Sequence, residues 1–184
     1  VVSATRPGFL TGDTSVSATS STITTSAGNA TTTISSGTAG ETYAVRLNNG
    51  SSNLATRTGN GAVLITTSLP TAGNTTTYEI FVRRPTSTGG DGSTYHATND
   101  TFTVTRSADV TPSAFDFTNQ TGVALSSTRT SANTITIAGM SSGATASVTI
   151  SGGQYSKNLA AYSSQSGITA TNGDTFKVRH TSSS

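Results

Sequence analysis

Thr75-Thr76-Thr77-Tyr78-Glu79-Ile80-Phe81-Val82-Arg83-Arg84 is the run that decides the fold. Tyr78, Ile80 and Val82 fall on one side of an extended chain and Glu79, Phe81 and Arg83 on the other, the period of two that a half-buried strand requires. Pro85 stops it, because proline has no N–H to give to a ladder. The pattern recurs outward from this run. Upstream, Glu41 to Leu47 sets Tyr43, Val45 and Leu47 against Thr42 and Arg46, and Asn48-Asn49-Gly50 turns the chain. Asn53 to Thr58 reads as the partner strand, and Asn60-Gly61 turns into Ala62-Val63-Leu64-Ile65, a short buried run. Downstream, Gly89-Gly90-Asp91-Gly92 is a loop, and Thr101 to Arg106 points Phe102 and Val104 inward.

The ends of this block are thinner. Ser15 to Ile34 is nearly all Ser, Thr, Ala and Gly, and its Thr22-Ile23-Thr24 and Thr31 to Ile34 favour two thin strands over a low-complexity linker. Residues 1–14, with Arg6-Pro7-Gly8 beside Phe9-Leu10, read as an extended arm. On the other side, Ser107 to Thr118 is a seam, since Pro112 cannot sit in a central strand. Beyond it a second series begins: Ala114 to Phe117, Val123 to Leu125, Asn133 to Ile137, Ala144 to Ile150, Gln154 to Ser156 and Thr175 to His180. No helical period competes anywhere. The expectation is an all-β chain with two antiparallel β-sandwich domains in tandem, 15–108 and 109–184, behind the arm 1–14.

Composition supports that architecture. Only 10% of residues are charged, against a typical ~25%, yet 40 Thr and 29 Ser occupy the vacated positions. Threonine is β-branched and suits a pleated surface, so these strands turn hydroxyls outward in place of charges. A net charge of +2 leaves no basic face of the kind that neutralises phosphates, which argues against nucleic acid. No apolar run reaches the ~20 residues of a membrane span. With no cysteine, disulfides and thiolate metal sites are excluded. Few charges and abundant hydroxyls fit a particle or cell surface.

No residue pattern announces a reaction. Gly-x-Ser-x-Gly is absent, no carboxylate pair has glycosidase spacing, and His96 and His180 lack metal-ligand spacing. The chain is therefore expected to be no enzyme, to need no cofactor and to hold no metal. Calcium is the one metal worth testing, through Asp91 in its glycine-rich loop and Asp109 and Asp116 at the seam, although three carboxylates fall short of the six to eight oxygens calcium takes. The other acids mostly sit at turns, where Asp bonds its own backbone. Phe81 on the outer face of its strand, with Tyr95, Tyr155 and Tyr162 in or near loops, forms a candidate glycan platform, set against plain coverage of thin sheets. Arg83 and Arg84 are expected to pair with Glu79 or with an acidic neighbour.

Thr111-Pro112, Phe115-Asp116-Phe117, Asn119 to Leu125, Asn133 to Ile137, Ser151 to Ser156 and Asn172 to Arg179 resemble, in order and spacing, an immunoglobulin-like module. Such modules recur in large secreted bacterial surface proteins and in tail or fibre proteins of phages, notably phages of marine bacteria. The resemblance spans about residues 109–184. It implies a non-enzymatic structural component of a virion or an extracellular assembly, of the tail, fibre or capsid-decoration type, whose partners are copies of itself or other virion or surface proteins. The alternative it leaves open is an adhesin or filament subunit that binds host glycan. Members of the family continue past Val178-Arg179-x-Thr181-Ser182 with at least one more strand. The resemblance thus implies either an interrupted or locally closed module or one completed by another chain, with Val1, Val2, Phe9 and Leu10 as the donor contacts.

Overall fold

The computed structural model describes residues 16–88 and 90–182; the expected arm and its Val1, Val2, Phe9 and Leu10 lie outside them. The described residues form strands and loops, with no α-helix and one 3-10 turn at Thr86–Thr88. No helix among them is long and apolar enough to cross a membrane. The chain divides into two compact units that meet between Ser107 and Ala108.

Unit 1 contains β1 (Ser17–Ala18), β2 (Ser21–Ile23), β3 (Ala30–Ser35), β4 (Thr42–Leu47), β5 (Ala55–Thr58), β6 (Gly61–Ile65), β7 (Thr75–Arg83) and β8 (His96–Arg106). They make a three-stranded sheet, β1-β3-β6, and a five-stranded one, β2-β8-β7-β4-β5. The alternation in the sequence explains how the sheets meet. Tyr43, Val45, Tyr78, Ile80, Val82, Phe102 and Val104 leave the larger sheet and join Val16, Ala30, Ile34, Val63 and Ile65 in one buried cluster. The Tyr78 and Phe102 rings stack 5.3 Å apart, and the Tyr78 hydroxyl donates to the Ser68 carbonyl at 2.8 Å. Two threonines pass into this core with their polar atoms satisfied, Thr32 on the Thr19 carbonyl and Thr98 on that of Ile80. Thr98 enters where β7 and β8 shift register between Glu79 and Phe81.

Two expectations for this unit need correction. Ala62 to Ile65 is not buried on both sides: Val63 and Ile65 point in, but Leu64 is 52% exposed, because β6 is the edge strand of its sheet and its outer face meets water. The pairing is not wholly antiparallel either. β1 pairs antiparallel with β3, whereas β2, two residues further on, crosses to the other sheet and runs parallel to β8. Arg106 holds this crossing, its Nε donating to the Pro70 carbonyl at 2.6 Å and its Nη1 to the carbonyls of Thr25 and Ala27 at 2.8 and 2.9 Å.

Unit 2 contains β9 (Thr128–Thr130), β10 (Ile135–Thr136), β11 (Ala146–Val148), β12 (Gln154–Lys157), β13 (Ile168–Ala170) and β14 (Thr175–Thr181). β14 is central, with β12 along one side and β9 and β10 in succession along the other. β11 and β13 form a separate two-stranded sheet. Its core is thin: Ile135, Ile137, Met140, Tyr155, Ala170 and Phe176, with Phe117, Ile150, Val178 and others half-buried against them.

The strands expected at Ala114 to Phe117 and Val123 to Leu125 are absent. Phe115 is 53% and Leu125 74% exposed, so this segment offers no apolar face, and only Phe117 joins the core. Side-chain amides take the place of a ladder. Asn133 Oδ1 accepts from the Thr118 N–H, Asn133 Nδ2 donates to the Asp116 carbonyl and Gln120 Nε2 to that of Thr130.

Candidate functional site

The outer face of the larger sheet in unit 1 carries the most concentrated chemistry among the described residues. Register places Ala44 opposite Phe81 and Phe81 opposite Ala97, one step from Arg46 opposite Glu79. Alanines on both sides of Phe81 leave room above the sheet. Into it Arg46 folds, its guanidinium 4.0 Å from the Phe81 ring centre and 5.6 Å from that of Tyr95. Arg83 approaches Tyr95 at 5.3 Å. The result is a row, Phe81, Arg46, Tyr95, Arg83, in which ring and cation alternate. Asn53 Oδ1 accepts from Arg46 Nε at 2.7 Å and fixes the guanidinium further.

Phe81 and Tyr95 are thus brought together, as the glycan platform requires, but Arg46 occupies the ring face on which a sugar would stack. Tyr155 is corrected outright. It lies in β12 and is not open to a sugar: it is 6% exposed and packs its ring against Phe176 at 5.9 Å, because a core this small needs its aromatics inside. Tyr162 is half-buried beneath the Arg179 guanidinium, 4.1 Å from its ring centre, while Arg179 Nε donates to Gln154 Oε1. Half of the residues expected to form a platform therefore belong to unit 2, one of them to its core.

The carboxylates serve their own turns. Asp91 Oδ1 accepts from the N–H groups of Ser93 and Thr94, both at 2.9 Å. The Thr94 hydroxyl and these two N–H groups hold its carboxyl well below the usual range. Asp109 Oδ1 accepts from the Thr111 N–H, and its own backbone bonds Ser141 in both directions. Asp116 contributes its carbonyl to Asn133. Among the described residues no group of three or more His, Cys, Asp or Glu could hold a metal ion.

Two charged groups that carry structure escaped the sequence reading. Arg84 does not face Glu79. By the parity of β7 it follows Tyr78, Ile80 and Val82 to the inner side, where its Nε meets Glu41 Oε1 at 2.6 Å. Glu41, 3% exposed, also accepts from the Tyr43 hydroxyl at 2.7 Å, and that hydroxyl in turn accepts from the Thr38 N–H. The period-2 pattern already put Glu41 on the Tyr43 side of its strand; that was the available signal.

The other is Asp174, at the turn into β14. Burial pushes its carboxyl up, but Lys157 at 2.8 Å, the Thr171 N–H and the Asn158 amide together hold it well below the usual range. A carboxyl depressed in the folded state stabilises above its unfolded value of ~3.9 and loses that contribution as pH falls through the folded one. The thermal midpoint of unit 2 is therefore expected to drop on acidification below about pH 4. Asp174→Asn should lower the midpoint at neutral pH and flatten this acid slope, as followed by circular dichroism melts across the range.

Unit 2 also has an opening into its core. Phe117, Ile150 and Val178 line a cleft of ≈ 700 Å³ whose rim carries Arg129, Gly153 and His180. No family model matches the chain, and no curated protein is significantly similar to it.

Proposed function

We propose that this protein is a non-enzymatic structural component of a virion or an extracellular surface assembly, built from two immunoglobulin-like sandwiches and working through docking and self-association. Support for the module type comes from unit 1. Its first strand is divided between the two sheets, antiparallel to β3 and parallel to β8. A tyrosine near the start of β7 reaches back to the carbonyl of Ser68 in the connection from β6, the tyrosine-corner arrangement of such folds. The hydroxyl-rich, charge-poor surface suits a particle exterior whose contacts should be insensitive to salt.

The observation that carries docking is the β11–β13 pair. Among the described residues neither edge of this sheet has a further strand, and the core beside it opens in the cleft lined by Phe117, Ile150 and Val178. Two strands alone are marginal in water, and an uncovered edge is a template for another chain. The test is sedimentation over a wide concentration range together with electron micrographs of the purified protein. Concentration-dependent association or ordered arrays are expected, and a strict monomer throughout, with no arrays, would reject the proposal.

A second reading, an adhesin that binds host glycan, is favoured by the row of Phe81, Arg46, Tyr95 and Arg83 on one open sheet face. A glycan array without a single specific hit would dispose of it.

A further inference from the structure

The described arginines of unit 1 fall into two groups. Three are consumed by the fold. Arg57 donates to the carbonyls of Asn60 and Ala62, Arg84 pairs with Glu41, and Arg106 spans the carbonyls of Pro70, Thr25 and Ala27. Arg46 and Arg83 are not. Among the described residues neither makes an ion pair, and Arg46 uses only its Nε, on Asn53. Glu79 faces Arg46 in register without coming within ion-pair distance. Both open guanidinium groups belong to the same row, and both hold their central carbon over an aromatic ring, Arg46 at 4.0 Å from Phe81 and Arg83 at 5.3 Å from Tyr95.

That orientation has a chemical consequence. A guanidinium stacked through its face keeps its N–H donors in its own plane, along its edge, free for an acceptor of matching shape. A carboxylate is planar and takes two parallel N–H bonds from such a fork, and the pre-set geometry spares the entropy of ordering a long side chain. The row lies on an open sheet face, with the exposed hydroxyl residues Thr56 and Thr101 in register on either side of it. Hydroxyl donors and acceptors flanking two separate anion forks match a polymer that carries hydroxyls and repeats its carboxylate. Nucleic acid fits worse, since the ring faces it would stack on are covered by guanidinium groups and two cations neutralise few phosphates.

We propose that Arg46 and Arg83, set by Phe81 and Tyr95, bind the carboxylates of an acidic polysaccharide. The inference rests on the glycan-binding reading and is independent of the assembly reading. Binding of polygalacturonate to the full chain is compared with neutral dextran, dextran sulfate and single-stranded oligothymidylate by biolayer interferometry. The variants are Arg46→Gln/Arg83→Gln, the charge-preserving Arg46→Lys/Arg83→Lys, and Arg129→Gln, which removes one exposed charge of unit 2. Melting curves establish that each is folded.

Polygalacturonate is expected to bind best, with about tenfold loss or more in both double variants and none in Arg129→Gln. Absence of polygalacturonate binding, equal loss in Arg129→Gln, full retention by the lysine pair, or tighter binding of dextran sulfate or oligothymidylate would each overturn the proposal. Binding of dextran that survives both double variants overturns the arginine row while leaving an adhesin standing.

Discussion

Glu41→Ala is expected to cost unit 1 about 3 kcal/mol or more, the largest loss from any single charge among the described residues. Glu41 is 3% exposed and joins two groups, the Arg84 guanidinium and the Tyr43 hydroxyl. Its removal strands a cation at the end of the inner face, whose desolvation is then uncompensated, and takes one partner from a buried phenol. The arginine side chain is 21% exposed, so water relieves part of its cost; the effect therefore stays at the lower end for a broken buried pair. Against a total stability of ~5–15 kcal/mol this is a large fraction. Urea unfolding followed by circular dichroism should show a lower midpoint with an unchanged slope. Glu41→Leu/Arg84→Met, which removes both charges, should recover part of the loss. An unshifted midpoint in Glu41→Ala would mean that the pair adds nothing to stability.

Tyr155→Ala should cost about 3–5 kcal/mol in unit 2, enough to erase a separate transition there. The ring is one of six apolar side chains buried in that core among the described residues, and it packs against Phe176. A core so small cannot collapse around a lost aromatic, and small domains have little stability to spare. Calorimetry is expected to show the unit 2 transition lost or merged into the baseline, with that of unit 1 in place. A variant that melts like the parent but binds glycan less well would return Tyr155 to the surface role that its sequence neighbourhood of Gly152-Gly153 first suggests.

The contrast between Tyr78 and Tyr155 shows what the sequence makes legible. Tyr78 sits in a nine-residue strand with strict alternation, so its inward direction follows from its neighbours. Tyr155 sits in a four-residue strand just after two glycines, too short for a period to say which way its ring points. The same shortness hid β13, whose only signal is Ile168 and Ala170 two apart. It also promoted Ala114 to Phe117 to a strand on aromatic content, although the amides of Asn133 and Gln120 bond the backbone around it. The row on the larger sheet was half legible. Phe81 and Arg46 each read as outward, but their meeting depends on β4 and β7 pairing in a register that a single strand does not encode. The partner of Arg84 lies 43 residues away in the chain and needed the same register.

The division of the first strand has a mechanical side. β2 enters unit 1 near its beginning and β8 leaves it at its end, and the two run parallel, Ser21 beside Val104 and Ile23 beside Arg106. Tension applied to the two ends of the unit pulls these strands past each other along their length. Their hydrogen bonds, the Ser107 N–H to Ile23 carbonyl bond and the Arg106 clasp then share the load at once, whereas antiparallel neighbours pulled from one end open a bond at a time. Unit 1 is thus built to bear traction from its termini in shear, with its strongest axis along the chain.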